Sequence, residues 1–388
     1  MLRPVSAGII SGLVAFTSSF VVVLAGLEGV GASPAQAASG LLAVSVLMGL
    51  CSMLLSLRTR LPITVAWSTP GAALLAATGA VDGGWPAAVG AFVLVGVLIV
   101  LTGLVPALGA LMARIPNPIA QAMLAGVLFQ LCLGPVLGVA ANPLAVAPVI
   151  VVWALAQRLS PRWASPLAFL AANVVIVVSL TAAPSPSAAP PLLPAVELTV
   201  PTLTVGAVVG VALPLYLVTM ASQNVPGVAV MRSLGYEVPW RASMVTTGLG
   251  TMIGAPLGGH GVNLAAITAA LAAGPEAGED RQRRWIASTA SGVVLVLCGL
   301  GATAFAQLIA PAPEGVIPAV AGLALLGTFV ASLRSALAEP EEQLPAGVTV
   351  LIAASGIAVA GISAAFWALL VGLALRALLR RPGRAQRG

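Results

Sequence analysis

The sequence predicts an all-α integral membrane protein whose fourteen transmembrane segments form two inverted seven-span repeats. Three observations carry that reading. The 388-residue chain is 59% hydrophobic and 7% charged, with a mean hydropathy of +1.08. Its apolar runs reach or approach the roughly 20 residues that a helix needs to cross a hydrocarbon core about 30 Å thick. All 17 basic residues are arginines, and threading the apolar runs as fourteen crossings puts every one of them on the same side. A proline-rich break then divides the runs seven and seven.

The spans are expected at 5–27, 35–57, 68–80, 86–108, 118–139, 143–158, 165–182, 203–231, 240–254, 259–273, 284–310, 315–336, 344–360 and 363–380. Arg3 and the small-residue stretch Ala32 to Ala38 imitate a secretory signal, but the apolar run from Pro4 to Leu27 exceeds the roughly 7–15 residues of a signal core. Thr17, Ser18 and Ser19 at mid-span suit a functional first helix. With the N-terminus inside, the inner loops hold Arg58, Arg60, Arg114, Arg158, Arg162, Arg232, Arg241, Arg281, Arg283, Arg284, Arg334 and the arginines from Arg376 onward. The outer face receives only Glu28, Asp82, Glu197 and Glu314. Arginine in short loops stays cytoplasmic, so both termini are expected there, and one span more or less would collapse the sorting. The net charge of +6 is therefore a topology signal, the partner is a lipid bilayer, and no nucleic acid is implied. Cys51, Cys132 and Cys298 fall inside spans without CxxC spacing, which argues against a disulfide framework or a thiolate metal site and makes them packing residues.

Residues 184–201 carry Pro184, Pro186, Pro190, Pro191, Pro194 and Pro201 and form an external linker between a first repeat, 1–183, and a second, 202–388. Because seven is odd, the second half enters from the opposite side, so a repeat must be inverted. Gly71 to Ala80 lines up with Gly261 to Ala270 at Gly, Leu, Ala, Thr and Ala, in the third and tenth spans, the two that are too short to cross alone.

Each short span follows an irregular stretch, Leu61-Pro-Ile-Thr-Val-Ala-Trp-Ser-Thr-Pro70 in one half and Gly254-Ala-Pro-Leu-Gly-Gly-His-Gly261 in the other. Proline removes a donor and clashes with a preceding turn, and glycine permits non-helical backbone, so both stretches are expected to be extended or unwound. Non-helical backbone at membrane depth survives only where protein buries it or it lines a cavity. Two half-helices would then aim their N-termini, with unpaired N–H groups and positive dipole ends, at one central anion site. All 11 acidic residues lie in loops or at span ends, leaving His260 as the only intramembrane group that could titrate near neutral pH. Gln223 and Asn224 in span eight, Ser18 and Ser19 in span one, Ser68 and Thr69 in span three, and Asn263 beyond His260 supply further polar groups at mid-depth. Phe16, Phe20 and Trp67 could form an aromatic wall beside them.

The stretches Pro62-Ile-Thr-Val-Ala-Trp-Ser-Thr-Pro-Gly-Ala-Ala-Leu-Leu75, Ser222-Gln-Asn-Val-Pro-Gly227 and Gly254-Ala-Pro-Leu-Gly-Gly-His-Gly-Val-Asn263 resemble the signatures of the benzoate:proton symporter family, often called BenE. The resemblance runs through nearly the whole chain. It implies a secondary transporter that brings benzoate inward with a proton across the bacterial inner membrane. The implied fold is similar to that of nucleobase transporters and sulfate-permease-type carriers, with a core domain of spans 1–4 and 8–11, a gate domain of spans 5–7 and 12–14, and a homodimer. Those relatives hold substrate between half-helices three and ten. Nucleobase transporters place carboxylates on spans eight and ten, where this chain has Gln223, Asn224, His260 and Asn263, and that departure argues against a nucleobase.

On this reading an aromatic carboxylate binds near Ser68, Thr69, Gly258, Gly259 and His260, with its ring against spans one and eight, and protonation of His260 or of benzoate itself neutralises the bound charge. No cofactor is implied. A carrier of another small organic anion or of a nucleobase, and a passive anion channel, remain alternatives. The absence of HExxH, of paired intramembrane aspartates and of GxSxG with a partner His argues against an enzyme.

Overall fold

The computed structural model describes residues 2–113, 116–181, 195–266, 268–357, 359 and 364–379. Arg114, the linker prolines from Pro184 to Pro194 and the arginines from Arg380 onward lie outside these described residues. Among the described residues eight helices are long and apolar enough to cross a membrane: Arg3–Gly29, Pro34–Thr59, Gly84–Leu104, Asn117–Ala141, Pro161–Leu180, Val205–Ser233, Arg281–Leu300 and Val316–Ala336. Pro143–Leu159 and Ala364–Leu379 are shorter apolar helices. The runs expected at 68–80, 240–254 and 344–360 are Thr69–Thr78, Trp240–Gly254 and Gln343–Ser355. The last ends early because Gly356 turns left-handed, at φ 64°.

The tenth run departs most from expectation. A helix was expected over 259–273, but the α-helix among the described residues there is the single turn Ala269–Ala273. A 3-10 turn over Ala255–Leu257 ends at Gly258, whose φ of 94° is open to glycine and strained for other residues. The chain then runs extended into a strand, β2, Val262–Leu264. Its partner is β1, Val65–Trp67, which precedes the Thr69–Thr78 helix. The two pair antiparallel, Val65 with Leu264, Ala66 with Asn263 and Trp67 with Val262. The match of Gly71–Ala80 to Gly261–Ala270 therefore aligns a helix with a strand. Superposing strand on strand shifts the correspondence by seven residues, and the earlier match reflects a shared richness in alanine.

A two-stranded sheet inside a bundle has two open edges, and polar side chains close them. Ser52 Oγ accepts from Val65 N at 2.8 Å, and Thr251 Oγ1 accepts from Val262 N at 2.9 Å. Asn224 Oδ1 accepts from Leu264 N at 2.9 Å, while its Nδ2 donates to Asn263 Oδ1 at 3.3 Å. Glycine lets the flanking helices close round this platform. A Cβ on Gly49 would meet Gly292 O at 2.5 Å and one on Gly292 would meet Gly49 O at 2.6 Å. Gly96 and Gly248 face each other in the same way, at 2.9 and 2.8 Å. Small residues at such crossings let backbones approach where lipid supplies no hydrophobic drive between helices.

The contacts at the two ends of the bundle differ in character. At one end Arg60 stacks on Trp285 at 4.3 Å, Arg281 lies over Tyr236 at 4.9 Å and donates to Leu234 O at 2.6 Å, and Arg162 pairs with Glu276 at 2.8 Å. At the other, Trp85 donates to Thr199 Oγ1, Thr204 to Asp82 O, and Ser39 to Leu257 O. The end of the linker is stitched to that second face through Glu197 N to Ser39 Oγ and Thr199 N to Pro256 O.

Thr251→Val keeps the shape at the β2 edge and removes its acceptor, so the buried Val262 N–H loses a partner. Unfolding in detergent should show a loss of about 1–3 kcal/mol, and Thr251→Ser should recover most of it.

Candidate functional site

The first helix breaks after Thr17 and resumes at Phe20, so Ser18 and Ser19 lie in a turn at mid-span. Ser19 Oγ accepts two hydrogen bonds, from Trp67 Nε1 at 2.9 Å and from Thr69 Oγ1 at 3.1 Å. A hydroxyl oxygen has two lone pairs, so both are occupied and the Ser19 O–H proton is left to donate elsewhere. Ser68 is the N-cap of Thr69–Thr78, and its Oγ accepts from Gly71 N at 2.9 Å. Pro70 has no N–H and Ala72 N bonds to Ser68 O, which leaves the Thr69 N–H as the donor of the first turn.

Ser222, Gln223 and Asn224 lie where the Val205–Ser233 helix is π-wound, over Met220–Asn224. Such widened turns cluster at functional sites. Here the turn splits two neighbouring amides. Asn224 faces β2 and is fully bonded into it, whereas Gln223 lines the cavities described next.

Two connected cavities, of about 400 and 300 Å³, lie along these elements. Both are lined by Ser18, Ser19, Thr69, Gln223, Ala324, Gly327 and Thr328. From that shared waist the larger branch runs past Gln121, Ser222 and Ser332 to Ser335, and the smaller past Trp67, Ala265 and Thr268 to Gln157 and Arg162. One wall is thus the broken first helix with β1, the Thr69 turn and the π-wound turn. The other wall is mainly Val316–Ala336, with Asn117–Ala141 and Pro161–Leu180 at the ends.

Of the residues singled out in the sequence, Ser18, Ser19, Trp67, Thr69 and Gln223 meet at the cavities. Ser68, Asn224, His260 and Asn263 are buried behind them in the strand platform. His260 Nε2 lies 3.3 Å from Ser68 O. A carbonyl can only accept, so Nε2 carries the proton and Nδ1 presents a lone pair, buried and without a partner among the described residues. Asn263 Nδ2 is likewise buried and unpartnered. Gly258 packs against Gly40 and Trp85 near the linker end of the bundle, and Gly259 N bonds back to Gly254 O. The expected helix N-terminus at Gly259 is therefore absent, because β2 occupies the chain before Ala269. Phe20 is fully buried in an aromatic cluster with Phe16 at 5.3 Å, Phe169 at 4.9 Å and Phe305 at 5.4 Å, and stands behind the cavity wall.

Sequence reading missed the facing wall. Ala324, Gly327, Thr328, Ala331, Ser332 and Ser335 recur at helical spacing, a small and polar stripe on an otherwise apolar span, and that periodicity was the available signal. An added Cβ at Gly327 meets nothing within 4 Å, so the cavity passes directly over it.

The family described as BenE, benzoate membrane transport protein, matches residues 2–378. The chain is 36% identical over 366 residues to the inner membrane protein YdcO of Escherichia coli (strain K12), covering 94% of this chain and 93% of that protein. It is 30% identical over 376 residues to the benzoate membrane transport protein of Acinetobacter baylyi, covering 97% of this chain and 95% of that one. Among solved structures, the transmembrane domain of the cyanobacterial bicarbonate transporter BicA superposes with a TM-score of 0.64 at 17% identity, over 97% of this chain and 98% of that one. Murine Solute Carrier 26 family member A9, an anion transporter in its inward-facing state, superposes with a TM-score of 0.63 at 14% identity, over 98% of this chain and 68% of that one. These superpositions establish a shared fold.

In a background with Cys51, Cys132 and Cys298 replaced, Gln223→Cys and Thr328→Cys should react with a small water-soluble thiol reagent in membranes. Asn263→Cys, behind the sheet, should stay unmodified until the protein is denatured, as mass spectrometry of the labelled chain would show.

Proposed function

The chain belongs to the BenE benzoate membrane transport family, and from that premise we propose that it imports benzoate, or a closely similar aromatic monocarboxylate, with a proton across the bacterial inner membrane. It is a membrane transporter and not an enzyme. One observation carries the choice of cargo: the waist of the cavities gathers neutral donors at the start of a helix and sets an aromatic and apolar wall beside them. The carboxylate is received by the Ser19 hydroxyl, the Thr69 N–H and the Gln223 amide, where the positive end of the Thr69–Thr78 dipole adds to their pull. The ring lies against Trp67, Val14, Ala15 and Leu323. Ser68, Asn224, Asn263, Gly258 and Gly259 hold the platform in shape and do not touch the cargo.

His260 acts on the same site from behind. Its Nδ1 is the basic atom, and Nε2–H holds the carbonyl of Ser68, the residue that caps the cargo-binding helix. A proton taken up at Nδ1 puts positive charge behind the carboxylate without occupying the cavity. A symported proton also offsets the cost of bringing an anion against an inside-negative potential, about 2.3 kcal/mol per charge per 100 mV.

The same reading gives the chain fourteen spans in two inverted repeats, with both termini cytoplasmic. Three equivalences support it. The strand pairing is symmetric about Ala66 and Asn263, Ser52 serves β1 as Thr251 serves β2, and the glycine contacts join span two to eleven as they join four to nine. Spans 1–4 and 8–11 then form a core that moves against a gate of spans 5–7 and 12–14, with the cavities along the seam, and the protein works as a homodimer.

Proteoliposomes given an inward proton gradient should accumulate radiolabelled benzoate, lose that accumulation with an uncoupler, and ignore excess nucleobase or sulfate. Uptake that only equilibrates would indicate a channel, and competition by nucleobase would hand the site to another cargo. Gln223→Leu should raise the half-saturating benzoate concentration about tenfold, the loss of one charge-assisted hydrogen bond. His260→Gln should retain benzoate exchange and lose gradient-driven accumulation; unchanged accumulation would remove the histidine from the coupling step.

A further inference from the structure

Among the residues lining the two cavities one is charged, Arg162, at the far end of the smaller branch. It is the second residue of Pro161–Thr181, and its Nη1 lies 2.8 Å from Glu276 Oε2. Glu276 sits in the turn Pro275–Ala277, directly after the single helical turn that follows β2. The pair thus ties the helix on one side of the seam to the platform on the other, at the arginine-rich end of the bundle. Both side chains are substantially exposed, 44% for Arg162 and 60% for Glu276. An exposed ion pair contributes little to stability, so it can be exchanged at small cost.

We propose that Arg162 is the residue that receives the cargo carboxylate between the waist and the cytoplasm, and that Glu276 is its built-in competitor. This rests on the reading of the cavity as a carboxylate site. The chemistry is direct: Glu276 presents to the guanidinium the same group that the cargo carries. A guanidinium offers five N–H donors in a planar fork suited to a carboxylate, and the Glu276 contact uses one edge of it. Among the described residues, an anion leaving the waist through the smaller branch meets no other cation on its walls. Arg162 draws it outward from the neutral donors at Ser19, Thr69 and Gln223. Glu276 then reclaims the guanidinium and displaces the anion into the cytoplasm, which keeps a strong electrostatic contact from trapping the cargo.

The test compares three variants for benzoate transport measured from each face, uptake in right-side-out vesicles and efflux-direction transport in inside-out vesicles. Arg162→Gln should weaken apparent affinity from the cytoplasmic face about two- to fivefold and leave the external face unchanged. Glu276→Gln should do the opposite, tightening cytoplasmic-face affinity by a similar factor and slowing release. The charge swap Arg162→Glu with Glu276→Arg keeps an ion pair across the seam but points a carboxylate into the branch, so it should be worse than Arg162→Gln. A merely structural clasp predicts a different pattern: both single variants shift the same way and the swap restores wild-type behaviour. That pattern, or three variants indistinguishable from wild type, would overturn the inference while the wild type still carries benzoate. Wild-type protein that transports no organic anion would overturn the underlying reading and the role of Arg162 with it.

Discussion

A peptide group that leaves helical geometry inside a bilayer finds no water to bond with, and each one left unpaired costs several kcal/mol. Everything near the middle of this molecule follows from how that demand is met. Two stretches broken by proline and glycine, far apart in sequence, pair with each other as β1 and β2, so each supplies what the other lacks. Their outer edges are then closed by one serine, one threonine and one asparagine, from three different helices. These three buried side chains are the sheet's missing strands in side-chain form, which explains why a serine, a threonine and an asparagine are buried at mid-depth beside it.

A platform built this way is stiff, because moving any one of those helices alone would break a buried hydrogen bond. Pro34–Thr59, Trp240–Gly254 and the π-wound helix are therefore fixed to the sheet and to one another. Ser19 extends the same unit to the broken first helix through its bonds from Trp67 and Thr69. The facing helix, Val316–Ala336, contributes alanine, glycine, serine and threonine to the seam. A surface of small side chains against a rigid body is suited to sliding, since no interlocked large side chain has to withdraw for the two sides to shift.

Most of this architecture was legible because the sequence speaks strongly about breaks and charges. Arginine placement and the long apolar runs announced a multi-span membrane protein, of which eight helices among the described residues are long and apolar enough to cross, and the Pro62–Pro70 and Gly254–Gly261 stretches marked where the helices fail. What failed was the inference from a break to the element after it. Gly258 to Gly261 suggested a helix beginning at once, whereas strand pairing with a segment almost two hundred residues away took precedence and delayed the helix to Ala269. That long-range pairing also moved His260 from the cavity wall to the far side of the sheet. Gln223 and Asn224 looked interchangeable as neighbouring amides, yet Gln223 lines the cavities while Asn224 is bonded to β2. The small-residue stripe from Ala324 to Ser335 was readable by periodicity but contains no residue type that advertises chemistry.

The charge distribution round the cavities bears on turnover. A full cation at the waist would hold a carboxylate in a low-dielectric seam with an energy that release would have to repay. Transport needs binding strong enough for capture and weak enough for escape, as in other membrane pathways that pass charge. On the proposed reading the waist meets this with partial charges alone: hydroxyls, an amide, one backbone N–H and a helix dipole. The single formal charge is kept at the exposed end of a branch, where water screens it and a carboxylate of the protein already occupies it. On the proposed reading, placing His260 behind the sheet follows the same logic, since a charge acquired there would act through the cap of the helix and could be removed without unbinding anything. If the seam is the carboxylate site proposed above, this separation of neutral donors in front from ionisable groups behind and outside is what would let it bind an anion and also let it go.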